Sequence, residues 1–366
     1  MSSRSSSPRR VKEADGPEGD LAASVLRDVA NGPADRPLPT TREFGRRHGV
    51  ASATAYRVLQ KLTKDGRIWQ HPTSGRFYPA TARVLLDRPK PVACVIRRLE
   101  LDSEQYREML EGISGGCGAL RRSMLLWHDE SLVNHPEPHE FPVFASLPAQ
   151  RAILKDFLDR HGEAAGGFIL DHVWSDDALR AFRGRLKPAV MLFRSCSLDD
   201  FSSVRADFHS GALKALAHLL GRGFERIVPI QPFAGDPAVS EFMAALEKAV
   251  DEAGCRNRLA PIVPASTDRE RADLVAQLRR ETRRTALVCP EDNVAAYLTT
   301  SAREAGIDCP TRLGILSVMG TDVATRSGIS CLRYDFRAMG RLAVDALGSQ
   351  PVRHVLEPRL VPGSTT

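Results

Sequence analysis

Hydroxyl-bearing and basic side chains lie close together in the segment SATAYR, residues 52–57. Ser52, Thr54 and Tyr56 can form hydrogen bonds with bases or phosphates. Arg57 adds a guanidinium that suits a phosphate or a base edge. Small residues at the start of the segment permit close approach to a DNA groove if they begin a helix. The pattern therefore predicts a DNA-reading helix.

Basic and flexible residues on both sides of that segment extend the predicted DNA-binding surface. Upstream arginines would neutralise phosphates, and a downstream turn places a glycine next to a cation. The expected DNA contacts are Arg42, Ser52, Thr54, Tyr56, Arg57, Ser74, Gly75 and Arg76. The alternative use of such a surface is protein contact or dimerisation.

The charge distribution favours DNA over that alternative. Residues 1–86 contain 15 Lys and Arg against 8 Asp and Glu, whereas residues 87–366 contain 36 against 37. The net charge of +6 therefore arises in the first quarter of the chain. A compact basic segment on a near-neutral body is the electrostatic pattern of nucleic-acid binding.

Carboxylates and a histidine follow apolar, strand-like runs later in the chain. Asp171 and His172 come directly after GFIL. They are either half of an acid–base pair or part of a loop that faces a cleft without chemistry. Asp292 follows ALVC at the start of a helical pattern. Its carboxylate can accept two hydroxyl hydrogen bonds from a ligand or cap the helix, and the two roles are compatible.

Catalytic and cofactor motifs give no convincing enzyme. The chain contains no P-loop, H-E-x-x-H or G-x-G-x-x-G motif, and its Gly115-Gly116 pair predicts the end of a helix rather than a phosphate loop. Seven scattered cysteines form no C-x-x-C pair, which predicts neither a zinc site nor a disulfide framework. We expect a protein that is not an enzyme and holds no cofactor or metal.

The elements that must position the first group of residues lie between Asp20 and Ala80. Three helical patterns follow one another, each starting at a capping residue and ending near a glycine. The expected caps are Asp20, Thr40 or Thr41, and Ser52. Two strand-like pieces, RIWQH and RFYPA, flank a turn at residues 72–75. This order predicts a winged helix-turn-helix.

From Pro91 onward, short apolar runs alternate with amphipathic helical patterns. The predicted strands are 92–96, 124–127, 167–170, 189–193, 226–230, 286–289 and 314–319. The predicted helices are 103–117, 148–160, 207–221, 237–253, 269–281 and 292–305. In the 207–221 helix, the apolar face with i, i+3, i+4, i+7 spacing consists of Leu213, Leu216, Ala217 and Leu220, and we expect it to face the core. The alternation predicts an α/β fold with parallel sheets, and about 275 residues fit two lobes.

These patterns divide the chain. The predicted parts are a disordered tail at 1–19, a winged helix-turn-helix DNA-binding domain at 20–80, a linker at 81–91, and a two-lobed ligand-binding and dimerisation domain at 92–366. MSSRSSSPRR lacks the apolar region of a secretory signal, and no apolar stretch is long enough for a membrane helix. We therefore expect a cytoplasmic protein with no membrane partner.

The segment LPTTREFGRRHGVASATAYRVLQKLTKDGRI resembles the winged-helix head of gluconate-repressor-type (GntR) regulators. That head reads L-P-S-x-R-E-L-A, then V-S-R-x-T-[VA]-[RY]-x-A-L-x-x-L, then G-x-[IL]. The resemblance covers about residues 20–80 and implies that Arg42, Thr54, Tyr56 and Arg57 lie at the DNA. The family's usual arginine after the V-S pair is replaced here by Ser52.

The larger part is similar to lactose/galactose-repressor-type effector domains, which are related to periplasmic sugar-binding proteins. DFHSGALKALAHLLGRGFERIVPI, residues 207–230, fits their D-x-x-x-G-x-x-x-A-x-x-H-L-x-x-x-G-x-x-x-I element. ALVCPEDNVAAYLTTSAREAGIDCP contains the aspartate that typically binds sugar hydroxyls, Asp292 here. The resemblance covers about residues 92–365. It implies a periplasmic-binding-protein-like fold, and with the head it resembles arabinose-repressor-type transcription factors.

The resemblance also implies an effector site in the cleft between the lobes. We place Tyr106 and Asp207 with Asp292 as candidate effector-binding residues. Two positions depart from the family's pocket, because its arginine is Ala238 here and its late aromatic is Thr321. Tyr106, Trp127 and Trp174 are the aromatic side chains that would stack on a sugar instead.

Together these features predict a ligand-responsive regulator that binds double-stranded operator DNA as a homodimer. We expect a repressor of carbohydrate-utilisation genes with a sugar as its small-molecule effector. The first alternative is a sugar-binding protein without a regulatory role. The second is an enzyme fused to a DNA-binding head, but Lys187, Lys214 and Lys248 lie in no pyridoxal-phosphate motif.

Overall fold

The computed structural model describes residues 16–33, 36–82, 89–97, 103–134, 143–233, 235–348 and 350–366. The contacts divide the chain into two units, Met1–Pro89 and Lys90–Thr366. Residues 1–15 of the predicted tail and 83–88 of the predicted linker lie outside the described residues. Within the described ranges, no helix has the length and apolar character needed to cross a membrane.

The first unit contains the three predicted helices and the predicted hairpin. Its elements are α1 (Pro17–Asn31), α2 (Thr41–His48), α3 (Ser52–Lys64), β1 (Ile68–Gln70) and β2 (Phe77–Pro79). The two strands pair antiparallel, with Trp69 opposite Tyr78. The apolar stripe of α3 is buried against Leu21, Val25 and Phe44, which gives this unit its own core.

One of the expected caps is confirmed and two are wrong. Thr40 caps α2, because its hydroxyl accepts from the Glu43 amide and Glu43 accepts in return. The first helix starts before Asp20, with Pro17 in its first turn, since proline's fixed φ suits that position. Ser52 is the first helical residue of α3 rather than its cap, which is Ala51.

The second unit is built from two α/β lobes. The first lobe holds β3 (Val92–Ile96), α4 (Glu104–Ala119), β4 (Met124–His128), β5 (Val133–Asn134), β6 (Val143–Phe144), α5 (Leu147–His161), β7 (Phe168–Leu170), α6 (Asp176–Arg180), β8 (Ala189–Phe193) and β9 (Ser202–Ala206). The second lobe holds α7 (Phe208–Gly221), β10 (Arg226–Gln231), α8 (Pro237–Glu252), β11 (Val263–Pro264), α9 (Asp268–Arg280), β12 (Thr285–Cys289), α10 (Asp292–Glu304), β13 (Leu313–Ser317), α11 (Asp322–Arg326) and β14 (Ser330–Arg333).

The chain crosses between the lobes three times in this unit. After β9 it enters the second lobe, and after β14 it returns through α12 (Phe336–Asp345) and β15 (Arg353–Leu356). It then crosses again into β16 (Arg359–Val361). The first sheet has the order β15-β9-β8-β7-β3-β4, and the second has the order β11-β10-β12-β13-β14-β16. Within these two six-stranded sheets all pairs are parallel except β14–β16, and β5 and β6 form a separate antiparallel pair. This arrangement confirms the predicted α/β fold with parallel sheets.

Two local predictions about these helices are wrong. Gly115 and Gly116 lie inside α4, which continues to Ala119, so they do not end the helix. The buried face of α7 holds Gly211, Ala212, Ala215, Leu216 and Leu219. Of the predicted face Leu216 is buried and Leu220 half-buried, whereas Leu213 and Ala217 are exposed. A side chain has little room at Gly211, because a Cβ added there would lie 3.0 Å from the Tyr334 hydroxyl and 3.1 Å from Pro358.

Candidate functional site

A cavity lies between the two lobes, at the carboxyl ends of strands from both sheets. From the first lobe it is lined by Arg97, His172 and Phe193, which follow or end β3, β7 and β8. Phe208 lines it where the chain crosses over. The second lobe contributes Phe233, Asp236, Ala238, Val239, Phe242, Pro290, Glu291, Val318 and Met319. This is where α/β folds place ligands.

An aromatic wall forms one side of the cavity. The ring centroids of Phe193 and Phe208 are 5.5 Å apart, and those of Phe208 and Phe242 are 5.9 Å apart, both in edge-on contact. Phe193 has a φ of 69°, a backbone conformation that is costly for a bulky residue. Strain of this kind is concentrated at ligand sites, where the surrounding packing holds it.

A buried charged cluster stands beside that wall and joins the lobes. The His172 Nδ1 lies 2.7 Å from an Asp171 oxygen, and its Nε2 lies 3.8 Å from an oxygen of Asp236 in the second lobe. Burial favours the neutral imidazole, but the two carboxylates outweigh it and raise the pKa of His172 to about 9. His172 is therefore an imidazolium at neutral pH.

Both aspartates of the cluster are stabilised as carboxylates. Burial opposes their charge, but His172 and Arg97 hold the pKa of each below its usual range. Asp236 also caps α8, because one oxygen accepts from the amides of Ala238 and Val239. The cap fixes where the carboxylate stands relative to the cavity.

Tyr106 does not line the cavity but contacts two residues of this region, Asp171 and Arg97. Its side chain is 2% exposed, and its hydroxyl donates to an Asp171 oxygen at 2.7 Å. The Arg97 guanidinium lies over its ring, 5.1 Å from the centroid, and the Arg97 amide donates to the same Asp171 oxygen. Tyr106 is thus connected to the cavity through Asp171 and Arg97.

Asp292 lies next to the cavity but does not line it. Its side chain is 1% exposed and receives hydrogen bonds from the Ser317 hydroxyl, the Gly320 amide, and both the amide and the hydroxyl of Thr321. Burial raises the pKa of Asp292, while these donors oppose the rise. The carboxylate therefore binds the turn after β13.

Glu291, rather than Asp292, both caps the helix and lines the cavity. It caps α10, because its Oε2 accepts from the Val294 amide at 2.9 Å, so the prediction that Asp292 caps this helix is wrong. Glu291 also lines the cavity. Burial and the neighbouring Asp292 raise its pKa to about 7, so its charge changes near neutral pH.

Asp207 and the predicted stacking residues lie elsewhere. Asp207 caps α7 by accepting from the Ser210 amide at 3.0 Å, and only its neighbour Phe208 lines the cavity. Trp174 is fully buried in the first lobe, and Trp127 packs on Phe157 there. The rings that face the cavity are phenylalanines instead.

Further polar contacts hold the lobes together around the cleft. The Ser195 amide and hydroxyl in the first lobe both donate to Glu241 of α8, each at 2.9 Å. Glu104 of α4 accepts from the Arg333 guanidinium at 2.8 Å and from the Asp322 amide. These hydrogen bonds connect the two lobes directly.

The candidate DNA contacts lie on two helices, α2 and α3, and on one turn of the first unit. Arg42, Ser52, Tyr56, Arg57, Ser74, Gly75 and Arg76 are exposed, and Thr54 is half-buried. Arg57 extends from α3, where its guanidinium donates to the Thr54 hydroxyl at 3.2 Å and lies 3.6 Å from Glu18. Gly75 has a φ of 66°, which the tight turn between β1 and β2 requires.

Features of other functions do not assemble in the described residues. The segment GISGG at 112–116 fits the G-x-S-x-G pattern, but it lies inside α4, whereas a nucleophile elbow needs a sharp strand-to-helix turn. Within the described ranges, no group of three His, Cys, Asp or Glu is placed to hold a metal. All seven cysteines are free thiols.

Comparisons with known proteins agree with this architecture. Residues 216–366 match the family model of the periplasmic binding protein-like domain. A LacI transcriptional regulator from a Rhodococcus species is 22% identical, with a TM-score of 0.60 over 75% of this chain and 97% of that chain. The Lys90–Thr366 unit has a periplasmic-binding-protein-like fold.

Two further solved structures with this fold contain sugars. A LacI family regulator from Enterococcus faecium with bound ribose is 16% identical, with a TM-score of 0.59 over 76% of this chain and 98% of that chain. A regulator of the same family from Weissella paramesenteroides with bound glucose is 13% identical, with a TM-score of 0.59 over 75% and 97%. A comparison with curated protein sequences gives no match.

Sequence reasoning found His172 but missed most of the other residues that line the cavity. Most of the missed residues share a simple signal, since they lie within a few positions of a strand's carboxyl end, whereas Val239 and Phe242 lie on α8. Arg97 directly follows β3, Phe193 ends β8, and Glu291 comes two residues after β12. Applying the strand-end rule to the predicted strands would have located these three residues.

Proposed function

We propose that this chain is a ligand-responsive, DNA-binding transcriptional regulator whose effector, a sugar, binds between the lobes of the periplasmic-binding-protein-like unit. The observation that carries the proposal is the composition of the cavity, because both lobes contribute to one aromatic and charged site. A ligand that contacts both lobes binds the closed form better and so shifts the lobe equilibrium.

The lining suits a small ring with an apolar face and several hydroxyl groups. The phenylalanine wall can cover the apolar face. Asp236, Glu291 and Arg97 supply charged acceptors and donors, which form the stronger hydrogen bonds to hydroxyls. The ribose and glucose in two structures of the same fold support a sugar in this one.

The sequence-predicted effector residues act through their neighbours in this proposal. Tyr106 positions Asp171 and Arg97, Asp292 positions the turn that carries Val318 and Met319, and Asp207 caps the helix that begins with Phe208. Their substitution would therefore weaken effector binding by moving the residues that touch it.

The first unit is proposed to read operator DNA as a GntR-type winged helix. Its support is the excess of seven positive charges in residues 1–86 and the exposure of the candidate contacts on α3 and the β1–β2 turn. We further propose that the chain represses transcription as a cytoplasmic homodimer without enzymatic activity. Two heads in a dimer would require a roughly palindromic operator.

Calorimetric titration of the full chain with a panel of pentoses and hexoses tests the effector site. We expect one sugar to bind, and Glu291→Gln to weaken it about 10-fold at about pH 8.5, where Glu291, with its pKa of about 7, is a carboxylate and the substitution makes this acceptor neutral. The matched control is Glu304→Gln, an exposed carboxylate at the other end of α10, which should bind as wild type does. Failure of every sugar to bind, or equal loss in both variants, would contradict the proposal.

A further inference from the structure

A row of amide and hydroxyl groups connects α3 to the tip of the β1–β2 turn. Gln60 of α3 donates from its Nε2 to the Tyr56 hydroxyl at 3.0 Å and to the Gln70 Oε1 at 2.8 Å. Gln70, the last residue of β1, donates from its Nε2 to the Gly75 carbonyl at 2.9 Å. The row therefore begins and ends at residues that we expect to contact DNA.

Packing and local hydrogen bonds reinforce the same connection. The Tyr56 ring lies edge-on to Phe77 of β2, with centroids 6.0 Å apart. Within the turn, the His71 Nδ1 accepts from the amides of Thr73 and Ser74 at 3.3 and 3.2 Å. The turn thus has a fixed shape, and Gln60 and Gln70 hold it against the helix.

The hairpin needs such contacts because its strands are short. Each strand has three residues, and a two-stranded hairpin of that length is marginally stable by itself in water. Side-chain hydrogen bonds to α3 restrict the positions that the tip of the hairpin can adopt. The distance between helix and tip in turn sets which bases and phosphates the two can reach at once.

We propose that Gln60 and Gln70 are positioning residues for DNA recognition, coupling the tip of the turn to the recognition helix without contacting bases themselves. The inference rests on the proposed DNA-binding function. It predicts that breaking the row at either residue frees the tip, so contacts made by Ser74 to Arg76 weaken while those made by α3 are kept.

The test uses the full chain and a DNA duplex selected by the wild-type protein from a random-sequence pool. Gln60→Met and Gln70→Met keep the side-chain length and remove the hydrogen bonds. We expect each to weaken binding about 3- to 30-fold, since one or two hydrogen bonds are lost. Because both break one row, the double variant should bind no more weakly than the weaker single variant.

Two further readouts separate positioning from general damage. Thr73→Ala, a substitution at an exposed residue of the same turn, is the matched control and should bind as wild type does. Repeating the selection with each glutamine variant should show lost preference only at the base pairs flanking the helix-read site, with an unchanged thermal melt of the protein. Loss spread evenly over all positions would indicate a merely structural role.

Wild-type affinity in both glutamine variants, or losses that multiply in the double variant, would overturn the inference and leave DNA binding intact. If the wild-type chain selects no DNA at all, the proposed function fails, and the inference fails with it. The two failures are therefore distinguishable.

Discussion

Buried charges at the cleft depend on each other, and His172 is the residue that shows this best. Its raised pKa, about 9 against an ordinary 6.5, means that the folded chain binds the proton more tightly than the unfolded chain does. The stabilisation by this group is complete below about pH 6.5 and is lost as the pH rises through about 9.

We therefore expect the free energy of unfolding of the wild-type chain to fall between pH 6.5 and 9, beyond what other groups cause. Urea denaturation at a series of pH values measures it. His172→Gln cannot titrate, so its stability should fall less over the same interval. Parallel pH curves for the two proteins would rule out the imidazolium at the cleft.

A substitution at Asp292 tests whether its carboxylate stabilises the fold or binds the effector directly. All four hydrogen bonds to its carboxylate are donated by the partner groups, and an asparagine amide would place an N–H group against some of these donors. Asp292→Asn should therefore lower the free energy of unfolding by about 1–3 kcal/mol. Unchanged stability together with lost sugar affinity would instead support direct contact with the effector.

Only some of the residues at the cavity could be identified from the sequence. Asp171 and His172 stood out because they directly follow an apolar run. Asp292 stood out for the same reason, but a sequence does not show that Ser317 and Thr321 fold back on its carboxylate. The phenylalanine wall was missed because Phe193, Phe208 and Phe242 look like ordinary core residues.

Among the elements, α4 and α12 pack unusually closely through glycines. A Cβ at Gly112 would lie 2.1 Å from the Arg337 carbonyl oxygen, and one at Gly340 would lie 2.1 Å from that of Met109. The contact explains why EGISGGCGAL remains helical, since Gly112 and Gly116 face α12 rather than ending the helix.

Gly112→Ala should destabilise the periplasmic-binding-protein-like unit by about 2–3 kcal/mol, because the two helices must separate. Gly115→Ala is a matched control in the same helix, where an added Cβ meets nothing within 4 Å. It should stabilise the unit by about 0.5–1 kcal/mol through backbone entropy. Chemical denaturation of both variants checks the pair, and equal effects would contradict the packing.

Most elements followed from periodicity, and the exceptions have a physical cause. The predicted helix at 237–253 is found at Pro237–Glu252, and the predicted strand at 92–96 is found unchanged. The strands of the second unit that were not predicted are β5, β6, β9, β11, β14, β15 and β16. They are two to five residues long, which is too short for a clear apolar period. The face of α7 was misjudged because its spacing was read mainly from leucines, whereas small residues form much of the buried face.

At the scale of the molecule, the concentration of positive charge in residues 1–86 predicts that DNA affinity depends on salt concentration. If Arg57 pairs with a phosphate, Arg57→Ala should weaken DNA binding and reduce the slope of log affinity against log salt concentration by about 0.9. Fluorescence anisotropy at several salt concentrations measures the slope. Arg269→Ala, an exposed arginine of α9 in the other unit, is the control. An unchanged slope for Arg57→Ala would contradict the prediction that α3 contacts DNA.

The division into a basic unit and a two-lobed unit could be predicted because charge and periodicity both change near residue 90. How the lobes meet could not, since Ser195 and Glu241 are 46 residues apart in sequence and join only once both lobes have folded.

The central claim is that one chain binds both a sugar and DNA and that the first changes the second. The most direct measurement is the affinity of the full chain for its selected duplex, with and without a saturating concentration of the sugar found by calorimetry. We predict a difference of about 5- to 150-fold, with weaker DNA binding when the sugar is bound, as expected for an inducible repressor. Equal DNA affinity in the two conditions would contradict the account.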